Sequence, residues 1–182
     1  STLSSSSAAS DVYKRQEDLC AVLDEVLTWD QVKKEEIFLF GGSQGGLISA
    51  MAAADRKDDV KGLILLFPAF CIADNWNSRF KSEDDIPSKL EFWGMELGNK
   101  FFRTLRGFDL HTYISRFERP VLIMHGDRDE VVPLSYSESA AEEYEEAKLE
   151  VFAGEIHGFT DNGNRRMEAM TMYFIHDLIG RE

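Results

Sequence analysis

Cysteine is scarce in this chain of 182 residues: Cys20 and Cys71 are the only two. They form no CxxC pair and no disulfide framework, which suits a reducing cytoplasm with both thiols buried as small apolar groups. Basic residues are also in deficit. Lys and Arg number 20 against 33 Asp and Glu, a net charge of −13. A surface of that sign argues against nucleic acid or an anionic membrane as partner. No apolar run approaches the roughly 20 residues that span a bilayer. The start carries no basic-then-apolar secretory signal, so the cytoplasm is the expected location, unless a signal has been lost upstream. There is no Walker or dinucleotide glycine pattern and no internal repeat. The His, Cys and acidic residues have no metal-ligand spacing. Neither a cofactor nor a metal is expected.

An initiating Met is missing too. Residues 1–10 are low-complexity, with no helical or strand period. Residues 6–16 look like the in-frame translation of a transposase-type sequencing adapter, whose end, GAT GTG TAT AAG AGA CAG, reads Asp-Val-Tyr-Lys-Arg-Gln. Residues 1–16 are therefore expected to be a tail outside the fold, and 17–182 a fragment of one domain whose true upstream sequence is lost.

From residue 17 onward, apolar periodicity predicts alternating helices and strands. A helix is expected over 17–28, a strand over 37–40 and a small-residue helix over 45–54. A strand buried on both faces follows over 60–67. From 71 to 108 the period breaks down into aromatics mixed with charges. That is too long for a plain loop in a compact domain, so it reads as an inserted lid of short helices whose aromatics mostly pack it onto the body. A short helix over 110–117, a strand over 121–125, an acidic helix over 135–146, a strand over 148–152 and a closing helix over 165–179 complete the chain. Such alternation implies a parallel α/β sheet flanked by helices.

The sheet organises the chemistry. Gly41-x-Ser43-x-Gly45 follows the strand at 37–40 and opens a helix, the setting of a nucleophile elbow. Side chains two before and two after the serine are expected to collide, hence both glycines. Asp129 follows the next-but-one strand, with Asp127 its nearest rival, and His157 follows the last. His125 ends a strand and reads as a structural hydrogen-bond partner. Active sites of open parallel sheets lie at the C-terminal strand ends, and Ser43, Asp129 and His157 all fall there, in the order Ser, Asp, His.

On these residues, residues 41–179 resemble a bacterial α/β-hydrolase of the serine esterase type, nearest to its feruloyl/cinnamoyl-esterase-like and dienelactone-hydrolase-like branch. The likeness rests on Gly41-Gly42-Ser43-Gln44-Gly45-Gly46, Leu66-Phe67-Pro68-Ala69, the stretch His125-Gly126-Asp127-Arg128-Asp129 with Val132-Pro133, and His157-Gly158-Phe159. The resemblance implies Ser43 as nucleophile, His157 as base and Asp129 rather than Asp127 as acid. It also implies the backbone N–H of Gln44 as an oxyanion donor, and a small-molecule ester as substrate. Members carry a lid here that shapes the acyl pocket, so Trp76, Phe80 and Trp93 are candidates to hold an aromatic acid. The family's early strands and second oxyanion donor are missing from this chain. Its sheet is therefore expected to have an unpaired edge, and the chain as written to be poorly active. A homodimer is compatible with this reading. The same machinery would serve a serine aminopeptidase, an acyl-peptidase-like hydrolase or an acyltransferase; a non-catalytic binding protein of the same fold is a further alternative.

Overall fold

The computed structural model describes residues 12–92 and 95–181. In chain order these hold α1 (Val12–Val26), β1 (Phe38–Gly42), α2 (Gln44–Asp55), β2 (Gly62–Leu66), α3 (Ile72–Arg79), β3 (Lys89–Phe92), β4 (Met95–Gly98), α4 (Asn99–Thr104), α5 (His111–Ile114), β5 (Val121–Gly126), α6 (Leu134–Glu143), β6 (Ala147–Phe152) and α7 (Asp161–Ile179). Four strands make one parallel sheet in the order β1-β2-β5-β6. The two central strands, Gly-Leu-Ile-Leu-Leu and Val-Leu-Ile-Met-His-Gly, are buried at every position. That is why they read as continuous apolar runs rather than alternating ones.

Helix α2 is buried along Gly46 to Ala54. Its run of small residues lets it lie close against the sheet. On the other face, Met167, Met170, Phe174 and Ile175 of α7 pack against Ile64, Leu122, Met124 and Phe152. Among the described residues no strand pairs with the free edge of β1, and Phe40 on that strand is 50% exposed.

Two expectations need correction. The first helix begins at Val12, inside the stretch expected to be a tail. Val12 is fully buried, and the Gln16 amide donates to the Met51 carbonyl at 3.3 Å. The apolar face carried by Leu19 and Leu23 extends back through Val12 and Gln16 at helical spacing. The first eleven residues lie outside the described part. Second, the segment 71–108 does contain short helices, but it also holds the antiparallel hairpin β3–β4. Lys89-Leu90-Glu91-Phe92 alternates polar and apolar, and exposed and half-buried, at the period of a strand.

The lid aromatics form one cluster on Trp76. Phe80 stacks on it at 5.9 Å with planes 8° apart, and Phe102, Phe92 and Phe101 meet it edge-on at 4.9, 5.1 and 6.4 Å. Such contacts favour tilted and offset geometries, each adding about 0.5–1.5 kcal/mol beyond burial. Trp76, Phe101 and Phe102 share one core with Leu47, Met51 and Phe117 of the body, so the lid is anchored by packing.

Candidate active site

Ser43 sits between β1 and α2 with φ 50° and ψ −123°, a conformation that costs a non-glycine residue strain. Four backbone bonds hold it there. Its N–H donates to Leu66 O at 2.9 Å, and its carbonyl accepts from Gly46 N at 3.0 Å, Leu47 N at 3.3 Å and Ala69 N at 2.9 Å. A Cβ on Gly41 would lie 2.3 Å from the Gly45 carbonyl oxygen, so Gly41 is sterically required. Gly45 is not: a Cβ there meets nothing within 4 Å. The second tight glycine is Gly46, where a Cβ would come within 2.9 Å of Pro68 Cβ. The expected collision two residues after the serine thus belongs one position later, where α2 passes the segment leaving β2.

Asp129 lies in the loop after β5. Its Oδ1 accepts from the amides of Val131 and Val132, both at 2.8 Å, and its Oδ2 lies 2.8 Å from His157 Nδ1. Burial pushes its carboxyl up, but the Val132 amide, His157 and the Val131 amide outweigh it, so its pKa is lowered and it is ionised. A carboxylate only accepts, so Nδ1 of His157 carries the hydrogen. Nε2, 3.0 Å from Ser43 Oγ, is then free to accept from the hydroxyl. Asp127 points elsewhere: its Oδ1 accepts from Gly154 N at 2.6 Å and ties the β5 loop to the loop after β6.

His157 rides on that second loop, between Gly154 at φ 78° and Gly158 at φ 90°, both left-handed. Glu155 pins it. Its carboxylate accepts from Thr160 N at 2.6 Å and Thr160 Oγ1 at 2.7 Å, and its carbonyl accepts from Arg128 N at 3.0 Å. The ring of Phe67 packs on the imidazole at 4.5 Å; Phe67 itself has φ 35°.

His125 is fully buried behind Asp129. Its Nε2 is 3.0 Å from Val132 O and 3.3 Å from Asp129 Oδ2, and its Nδ1 is 2.7 Å from Ser137 Oγ. Burial lowers its pKa, so it is neutral. Nε2–H donates to the Val132 carbonyl and Nδ1 accepts from the Ser137 hydroxyl.

A cavity of about 370 Å³ opens beside Ser43 and Gln44, walled by Ile72, Asn75, Trp76 and Arg79 of α3, by Phe92, Leu97 and Phe101 of the hairpin and α4, and by Val131 and Val132. The amide of Gln44 is the first of α2, one of the N–H groups a helix start leaves unpartnered by its own turn. Of the expected pocket aromatics, Trp76 lines the cavity. Phe80 does not, because it stacks behind Trp76 and spends its faces on Trp76, Phe102 and Arg79. Trp93 lies outside the described residues. Sequence reasoning missed Phe92 and Leu97, which the alternation of the hairpin could have revealed. It also missed Glu155, which has no motif of its own, and Arg15, in the stretch set aside as a tail. Among the described residues no group of His, Cys, Asp and Glu could hold a metal. No described helix is long and apolar enough to cross a membrane.

A parallel sheet with helices on both faces and this elbow defines the α/β-hydrolase fold, and the chain is a hydrolase of that class. It belongs to the prolyl oligopeptidase family, whose pattern matches residues 11–181. Among solved structures it is similar to Est1E from Butyrivibrio proteoclasticus, with 29% identity and a TM-score of 0.86 over 95% of this chain and 72% of that one. A structure of ferulic acid bound to Est1E matches at 29% identity and a TM-score of 0.83, covering 92% and 69% of the two chains. The acetyl xylan esterase from Paenibacillus sp. R4 shares the fold at 23% identity and a TM-score of 0.67, covering 89% and 51%. No curated protein matches the chain.

Proposed function

We propose that the protein is a serine carboxylic ester hydrolase that works through an acyl-enzyme on Ser43. The observation that carries this reading is the hydrogen-bonded series Ser43 Oγ, His157 Nε2, His157 Nδ1 and Asp129 Oδ2, with steps of 3.0 and 2.8 Å at the mouth of an apolar cavity. His157 takes the hydroxyl proton as Ser43 Oγ bonds to the ester carbonyl carbon. Asp129 holds the imidazole in the needed tautomer and stabilises its charged form. The Gln44 amide, at the positive end of α2, donates to the developing oxyanion. The alcohol leaves with the proton from His157. Water, activated by the same imidazole, then releases the acid and restores Ser43. The similarity to Est1E with ferulic acid bound, together with Trp76, Phe92 and Phe101 around the cavity, supports an aromatic acyl group.

The experiment is labelling with a fluorophosphonate probe alongside turnover of p-nitrophenyl acetate and methyl ferulate. The reading expects labelling and, from a chain that lacks the family's second oxyanion donor, slow turnover, both lost in Ser43→Ala. An unlabelled Ser43 in a folded protein would overturn it. The family assignment favours a second reading, a serine peptidase with the same three residues. Aminoacyl-naphthylamides hydrolysed faster than the esters would select it.

A further inference from the structure

Ile72, Asn75, Trp76 and Arg79 all line the cavity, at the i, i+3, i+4, i+7 spacing of one helical face. The segment leading into α3 passes close to the nucleophile, since the Ala69 amide donates to the Ser43 carbonyl at 2.9 Å. At a rise of about 1.5 Å per residue, Arg79 stands about 10 Å further along the helix than Ile72. The ester-cleaving end of the cavity and its Arg79 end are therefore separated by about the length of a substituted aromatic acid.

The charges along this wall are selective. Acidic residues outnumber basic ones 33 to 20 in the chain, yet among the described residues no carboxylate lines the cavity, and the charged side chains that do are Arg15 and Arg79. Arg15 Nη1 donates to Gln44 Oε1 at 2.9 Å beside Ser43, so Arg15 sits at the ester end of the cavity rather than the far end; its buried Nε has no partner among the described residues. The partners of Arg79 among the described residues are the rings of Trp76 and Phe80, with Cζ 5.4 and 5.6 Å from their centroids. Ring contacts orient a guanidinium but leave its N–H fork unspent, and that fork matches a planar carboxylate. A cationic group above an apolar wall is also where the local field opposes the protein's overall negative charge.

We infer that the cavity selects esters carrying a second, anionic group remote from the scissile bond: half-esters of aromatic dicarboxylic acids, with the free carboxylate on Arg79 and the ring among Trp76, Phe92 and Phe101. This rests on the ester-hydrolase reading above. The reaction adds water across the ester bond, giving the dicarboxylic acid and the alcohol.

The test compares kcat/KM for monomethyl terephthalate with that for methyl benzoate, in the wild type and in Arg79→Met, Arg79→Lys and Arg79→Glu. The anionic half-ester is expected to be favoured by about tenfold, chiefly through KM, as expected for a charge-assisted contact. The ratio collapses in Arg79→Met, is partly kept in Arg79→Lys and inverts in Arg79→Glu. A parallel titration of terephthalate into the Ser43→Ala protein, read by tryptophan fluorescence, needs no chemistry. If neither ester is cleaved but terephthalate binding still depends on Arg79, the hydrolase reading fails and the selection stands. If both esters are cleaved in the same ratio by the wild type and Arg79→Met, the selection is overturned and the hydrolase reading stands. Terephthalate binding that ignores Arg79 also overturns it.

Discussion

The carbonyl oxygen of Gly45 lies 2.3 Å from where a Cβ on Gly41 would stand. Gly41→Ala therefore forces β1 away from α2, an overpacking cost of about 1–3 kcal/mol or more. Gly45→Ala meets open space within the first turn of α2 and is expected to stabilise by up to about 1 kcal/mol through helix propensity. Denaturant unfolding of the two variants checks the asymmetry. Equal destabilisation would show that the turn is constrained as the G-x-S-x-G pattern alone suggests.

Asp127 and Asp129 separate by their partners, the Gly154 amide for one and His157 for the other. Asp129→Asn leaves His157 without the acceptor that fixes its tautomer, and kcat is expected to fall by about 10⁴-fold. Asp127→Asn disturbs only the Gly154 amide contact and should reduce kcat far less. Steady-state kinetics on one ester decides it; a larger loss from Asp127→Asn would reverse the assignment.

Glu155 holds His157 without touching it. Removing its carboxylate in Glu155→Ala frees Thr160 and the loop, and a displacement near 1 Å at the base costs about 10²-fold. The loss is expected in kcat with KM little changed, and Glu155→Gln should recover part of it.

Acid should unfold the protein in two stages. Burial lowers the pKa of His125, so the unfolded chain takes up a proton the native state refuses. The stability this group contributes is complete above the unfolded value of about 6.5 and declines as pH falls below it. Glu155, held by the Thr160 amide and hydroxyl, and Asp129 have lowered values as well. Their contribution is complete above about pH 4 and is lost as pH falls through their folded values. Thermal melts from pH 8 to pH 3 should show both declines, with the upper one missing in His125→Gln.

The strands and the order of Ser43, Asp129 and His157 were legible because buried parallel strands leave long apolar runs and these three residues follow them directly. The choice of Asp129 over Asp127 came from the resemblance; Asp129 Oδ2 lies 2.8 Å from His157 Nδ1, whereas Asp127 Oδ1 accepts from the Gly154 amide. The hairpin was obscured because Leu90 and Phe92 sit among charges, and half-buried alternation over four residues is a weak signal. Phe80 was misjudged because composition cannot tell a ring that faces a cavity from one that backs it. Val12 was set aside for what residues 6–16 resemble, whereas helix periodicity continues through it. Glu155 reaches Thr160, five residues on, and the Arg128 amide across irregular loops, where no periodicity marks a partner.

The peptide that carries Ser43 also receives the Ala69 amide at the root of the lid. One carbonyl thus joins the first turn of α2 to the segment that leads into α3, the helix that walls the cavity. A change in the lid that shifts the chain at Ala69 reaches Ser43 through a single hydrogen bond. Under the proposed acyl-enzyme chemistry, evolving a new pocket and retuning the reactivity of the serine are mechanically linked, and lid variants chosen for binding alone should show altered acylation rates.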